Sequence, residues 1–443
     1  MADLGARAAA SEAPLASAQR RSGSSALNVT AAVLGNALEF YDFGVYGAYA
    51  VFIGRAFFPN ESALASLLLS LATYGVGFIA RPLGGMVIGA YADRHGRKPA
   101  MTLTIWLMAI GTGMIGVLPT YATIGAAAPI LLVLARLIQG FSTGGEMGPA
   151  TTYLVESAPR RRRSLFGSWQ LASQNIGGVL AGLIGFVIAQ LFVDANIQGG
   201  AWRIPFFLGL VIAPVGIYIR NRIDETLDLR QAHKSNRALL DELFGRHGRP
   251  LLLCFLLIPG ATVTQYFLTY TVTFSIATLK LSTGVAFLAY LMIGISGTVF
   301  SLVGGWLGDR FGLKPVAIWP RLLLILLVYP VLLIVVREHT PLAVIGLMPV
   351  LMALQGMSGS VGIVLIPRCF PPAVRTAALS IAYATGVAIF GGSAQVIFTS
   401  LIAETGEPTA HVWWVILSNL ITICALIAIQ PLPDEAPQPT EER

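Results

Sequence analysis

Glu39 and Asp42 stand three residues apart inside one apolar run, and Arg136, Gln139, Thr143 and Glu146 recur at three-to-four spacing inside another. In a helix that spacing places each set on one face. Ionisable groups at membrane depth are costly and mark function by default. Together they offer two kinds of chemistry. An arginine can take a carboxylate in a two-pronged, charge-assisted fork. An acid that gains and loses an arginine partner alternates between releasing and holding a proton. At about 1.5 Å per residue, Asp42 lies about 24 Å and Arg136 about 25 Å from the same membrane surface. The two faces can therefore meet, with Asp42 or Glu39 against Arg136. Asp42 is the main proton-carrier candidate, Glu39 the alternative, and Glu146 a third acid of the same kind. The plainer reading of Arg136 is an ion pair with Asp42 that never touches a ligand.

Such residues need a membrane around them. The chain has 443 residues, 55% hydrophobic and 12% charged, against about 25% charged in a soluble domain; its mean hydropathy is +0.72. A span takes roughly 20 apolar residues. The sequence predicts twelve: 28–53, 64–91, 99–118, 126–153, 164–191, 203–220, 251–277, 284–307, 315–336, 341–364, 374–402 and 411–430. The longest polar stretch separates six from six. The expected units are a disordered tail (1–25), an N-terminal bundle (26–220), a basic linker (221–250), a C-terminal bundle (251–430) and a second tail (431–443). The first tail is Ala/Ser/Arg-rich and lacks the apolar core of a signal peptide.

A ten-residue loop occurs twice. Gly89 to Lys98 contains Asp93, Arg94, Gly96 and Arg97, and Gly305 to Lys314 contains Asp309, Arg310 and Gly312. Asp309 lies 216 residues after Asp93, and Gln355-Gly356 lies 216 after Gln139-Gly140. Two landmarks at one offset indicate an internal duplication, an arrangement that places a ligand site between the halves near mid-membrane. Asp93 can pair with Arg97 or meet a neighbouring helix N-terminus, where a carboxylate is favoured. Gly89, Asp93, Arg94, Gly96, Arg97, Asp309 and Arg310 are thus expected to gate one face; a merely solvated basic loop is the alternative. Leu313 replaces an arginine in the second copy, so that latch is expected to be weaker. With the N-terminus inside, 22 of the 29 Lys and Arg fall in cytoplasmic segments, which places both termini in the cytoplasm.

Further polar candidates line the other runs: Asn36, Arg81, Gln170 and Gln174 in the first half, and Gln265, Tyr266, Thr269, Tyr270, Gln355 and Ser358 in the second. Arg81 can equally be a helix-packing arginine, and the Tyr and Thr stripes can equally be core. Arg321 is close enough to a span end to snorkel. Met352 stands at Arg136 plus 216. Charge then sits in the N-terminal half, which suggests coupling there and shape recognition in the other half. The net charge of +7 is scattered over short loops, so no nucleic-acid partner is expected. Cys254, Cys369 and Cys424 share no metal or redox spacing. With no metal cluster, phosphate loop or nucleophile elbow, neither metal, cofactor nor enzymatic activity is expected. A polytopic enzyme or a non-transporting sensor would need a catalytic cluster or a soluble output domain, and neither is visible.

The first loop, Gly-x-x-x-Asp-Arg-x-Gly-Arg-Lys, resembles the signature of the major facilitator superfamily. A closer resemblance, to its metabolite:proton symporter family, rests on Gly35-Asn36 through Glu39 to Phe43, on Arg81-Pro82 with Gly84-Gly85, on Arg136 to Glu146, and on Trp202-Arg203 with Pro205-Phe206. Ala388 to Gly392 and Trp413-Trp414 look most like the family's citrate and tricarballylate transporters. The resemblance implies an all-α membrane protein of two pseudo-symmetric six-helix bundles. The first, fourth, seventh and tenth helices would line a central cavity. It implies proton-coupled uptake of an organic anion, a tri- or dicarboxylate such as citrate, by a monomer in the bacterial inner membrane. Asn36, Arg81, Arg136, Gln139, Gln170, Gln174, Tyr266, Tyr270 and Gln355 would be the substrate contacts. Alternatives are 2-oxoglutarate, shikimate-like or aromatic acids, a zwitterionic osmolyte, or export. The short, Pro-rich, acidic 431–443 does not look like the long coiled coil expected of an osmosensor.

Overall fold

In lipid every backbone N–H and C=O must find an internal partner, so long apolar runs fold as helices. The structure, a computed structural model, describes residues 30, 33–95, 97–144, 151, 154, 155, 158–221 and 236–432. Among these, seven helices are long and apolar enough to cross a membrane, four apolar helices are shorter, and helix 33–48 continues through Tyr49 into Ala50–Phe57. We number them α1 (33–57), α2 (Ala63–His95), α3 (Arg97–Val117), α4 (Ala127–Thr143), α5 (Arg163–Leu191) and α6 (Ile204–Asn221) in the first half. The second half holds α7 (Gly248–Leu256, Ile258–Thr269 and Thr271–Ala277), α8 (Thr283–Phe311), α9 (Leu313–Glu338), α10 (Pro341–Leu365), α11 and α12 (Val412–Ala428). Within α11, Pro372–Gly386 and Gly392–Thr405 are joined by a π-helical turn, Val387–Gly391. The linker adds a helix, Asn236–Arg246.

The two halves use small residues alike, which lets backbones approach closely inside a membrane. In the first half α2 crosses α4, and a Cβ on Gly140 would overlap the Gly77 carbonyl oxygen. In the second half α8 crosses α10, and a Cβ on Gly356 would stand 3.1 Å from the Ser301 nitrogen and 3.2 Å from the Gly297 oxygen. Gly140 and Gly356 are the duplicated landmark, so one sequence feature serves the same helix crossing twice. The halves meet along α5 and α8, where Gly182 faces the Leu291 backbone, and along α2 and α11, where Gly75 faces Gly392. The α8–α9 turn passes through Gly312 at φ 90°, a conformation glycine adopts without cost.

Candidate functional site

Asp42 and Arg136 are both buried, and they communicate through two neutral side chains rather than by direct contact. Arg136 Nη1 donates to Gln139 Oε1 at 2.7 Å. Gln139 Nε2 donates to Thr112 Oγ1 at 2.8 Å, and Thr112 donates to Asp42 Oδ2 at 2.7 Å. The other carboxylate oxygen, Oδ1, has no hydrogen-bond partner among the described residues; a Cβ on Gly209 of α6 would stand 2.6 Å from it. Sequence reasoning missed Thr112. Its signal was there: it is the polar residue between Gly111 and Gly113 in the third apolar run.

Arg136 Nη2 donates to the Tyr74 carbonyl at 3.4 Å. The rings of Tyr46, Phe43 and Tyr74 lie 4.5, 4.6 and 5.1 Å from its central carbon. Arg81 stacks on Phe78 at 4.2 Å and on Phe43 at 4.4 Å. Both guanidiniums therefore share Phe43. Arg81 keeps Nε and Nη2 without an acceptor among the described residues, although it is only 3% exposed.

Beside this cluster lies a small cavity of about 60 Å³. It is lined by Phe40 of α1, Gln174 of α5, Gln265 and Tyr266 of α7, Gln355 of α10 and Tyr383 of α11, among others. Tyr266 packs edge-on against Phe78 at 5.3 Å, which puts the Arg81 stack directly behind the wall. Gln355 spends its Nε2 on the Ala261 carbonyl at 2.8 Å, and neither its Oε1 nor that of Gln265 has a hydrogen-bond partner among the described residues.

The remaining candidates lie elsewhere in the fold. Asn36 and Gln170 bond each other across α1 and α5, with Asn36 Nδ2 also donating to Ser173 at 2.7 Å. Tyr270 stands apart from the cavity, sharing a 2.9 Å hydrogen bond with Thr399. Glu39 is buried at 9% exposure. Glu146 and Gly96 lie outside the described residues, as do the side chains of Asp93, Arg94 and Arg97; Gly89 sits in the last turns of α2.

The second loop is described in full. Asp309 at the end of α8 accepts from the backbone nitrogens of Ser164 at 2.8 Å and Leu165 at 3.0 Å. These open α5, so one half caps a helix of the other. The partner of Asp309 in this contact is a helix N-terminus rather than the side chain at position 313. Arg310 faces the rings of Phe311 and Trp306 at 5.5 and 5.7 Å. Arg321 departs from expectation: it is 2% exposed and donates to Asn419 Oδ1 at 2.7 Å, so it does not snorkel. Among the described residues no group of three or more His, Cys, Asp and Glu gathers as a metal site.

The model of the major facilitator superfamily matches residues 32–437. The chain belongs to the major facilitator superfamily. Its similarity to metabolite:proton symporters runs through most of its length. It is 35% identical over 398 residues to a citrate-proton symporter of Klebsiella pneumoniae, covering 89% of this chain and 88% of that protein. It is also 35% identical over 378 residues to a proline/betaine transporter of Salmonella typhimurium, covering 82% and 75%. The crystal structure of a D-xylose-proton symporter superposes with a TM-score of 0.74 at 20% identity, over 90% of this chain and 96% of the other; at that identity it shows the fold alone. All three are symporters or transporters by name. In this major facilitator the buried Arg–Gln–Thr–Asp chain and the cavity sit between helices that the shared fold brings together.

Proposed function

We propose that this protein couples the uptake of an organic anion, a di- or tricarboxylate such as citrate, to the entry of protons by alternating access. The observation that carries the reading is the pair of guanidiniums on Phe43. Arg81 and Arg136 occupy the faces of Phe43, Phe78, Tyr46 and Tyr74. Aromatic faces are what a quaternary ammonium needs, and here two fixed cations already cover them. A third cation is disfavoured there, and a carboxylate is favoured. The unbonded Nε and Nη2 of Arg81 present the two-pronged geometry a carboxylate fits, and the amides of Gln174, Gln265 and Gln355 supply neutral contacts around the cavity.

In this reading the bundles 26–220 and 251–430 rock about the cavity, in a bacterial inner membrane with both termini cytoplasmic. Asp42 is the proton carrier and Glu39 its alternate. An anion that draws on the charge of Arg136 weakens the chain holding Asp42, so the binding of anion and proton favour each other by the same factor. The second reading, a zwitterion such as glycine betaine, is favoured by the equal identity to the proline/betaine transporter. Purified protein in liposomes with an imposed pH gradient, acid outside, separates the two. Concentration of labelled citrate, with none of labelled glycine betaine, is expected. The converse result overturns the anion reading.

A further inference from the structure

Arg321 of α9 is a buried cation in the half where sequence gives the cavity no charge. Its Nη1 donates to Asn419 Oδ1 at 2.7 Å, and its Nε has no acceptor among the described residues. No acid faces it there. Asn419 is itself fixed, donating to Thr264 Oγ1 at 2.9 Å and to the Val415 carbonyl at 2.7 Å. The guanidinium is pressed onto the back of α7: a Cβ on Gly260 would stand 2.6 Å from Nη1. Ile258, Thr262 and Gln265, on the opposite face of the same helix, form the cavity wall. One helix thickness therefore separates an uncompensated positive charge from the cavity.

We propose that Arg321 is a specificity-determining residue that acts through α7 without touching the ligand: its field makes the second-half wall of the cavity selective for negative charge. This rests on the organic-anion reading and adds a residue to it. A charge in water would be screened, but this one is enclosed by protein and membrane. Across about 10 Å at an effective dielectric of about 20, one unit charge is favoured by roughly tenfold in affinity. A di- or tricarboxylate then feels cations from both halves: Arg81 from the first and Arg321 from the second. A zwitterion, whose charges cancel at that range, gains little.

The test compares citrate with its monomethyl ester, which differ by one negative charge, in equilibrium binding to the purified full-length protein. Arg321→Gln keeps a donor for Asn419 and removes the charge. Asn419→Asp keeps the guanidinium and neutralises it with a carboxylate. Both are expected to lower the citrate-to-ester affinity ratio about tenfold, whereas Arg321→Lys keeps the ratio. The two neutralising changes alter the packing in different ways, so a shared fall in the ratio reports charge and not structure. If Arg321→Gln does not fold, Asn419→Asp and Arg321→Lys decide. A parent protein that binds citrate, with an unchanged ratio in the variants, overturns the role of Arg321 alone. A parent that binds glycine betaine and neither acid overturns the anion reading, and this inference with it.

Discussion

Asp309→Asn perturbs the contact between halves at a single point. In the parent, both carboxylate oxygens accept from the first backbone nitrogens of α5, at 2.8 and 3.0 Å. The amide keeps one acceptor and turns an NH2 toward the second nitrogen. A hydrogen bond to a charged group contributes about 1.5–3 kcal/mol, and an anion at a helix N-terminus about 0.3–1 kcal/mol. Losing one such bond and the charge costs about 2–3 kcal/mol of the state in which α5 and α8 touch at this face. At roughly 1.4 kcal/mol per tenfold, the equilibrium shifts about 30- to 100-fold toward opening there. The assay is a distance distribution between spin labels at Arg161 and Phe311, both exposed and flanking the contact. A new, longer distance is expected in the variant, without loss of folded protein. A distribution identical to the parent's refutes the latch.

Three further outcomes are expected. Asp42→Asn removes the carboxylate at the end of the Arg136 chain, so accumulation of substrate against a gradient should stop while exchange of preloaded substrate continues. Continued concentrative uptake passes the role to Glu39, provided Glu39→Gln then abolishes it. Arg136→Lys keeps the charge but loses the planar fork, so the affinity for carboxylates should fall about tenfold or more in equilibrium binding; unchanged affinity for every acid makes Arg136 purely structural. Gly140→Ala drives a methyl group into the Gly77 carbonyl. Overpacking of this kind costs about 1–3 kcal/mol, read as a lowered midpoint of thermal unfolding, and a midpoint equal to the parent's contradicts the close α2–α4 crossing.

What the sequence revealed was what repeats. Helix number follows from apolar run length, and the Gln-Gly landmark at 139–140 and 355–356 anticipated the paired crossings. The acid, the arginine and the glutamine of the buried chain were legible because charge in an apolar run is rare. Thr112 was not, because one threonine among small residues is ordinary, and only the third dimension shows that it bridges Gln139 to Asp42. Arg321 was misjudged because distance from a span end says nothing about which way a side chain turns. It points inward because Asn419, 98 residues away, offers an oxygen there. The π turn of α11 carries no composition signal of its own; Gly391, whose Cβ would meet the Tyr266 ring at 2.7 Å, is its one visible trace.

The chain from Arg136 to Asp42 has a direction. Every donor in it points toward the carboxylate: guanidinium to amide, amide to hydroxyl, hydroxyl to Oδ2. A proton placed on Oδ2 would face the Thr112 hydroxyl head-on. The hydroxyl would have to turn its hydrogen away from Asp42 and give up the bond it now donates, its oxygen then accepting from both the carboxyl and the Gln139 amide. A proton placed on Oδ1 disturbs none of this. The two oxygens of Asp42 are therefore not interchangeable, though they are chemically identical: one is held as the fixed end of a row, and the other stands without a partner among the described residues.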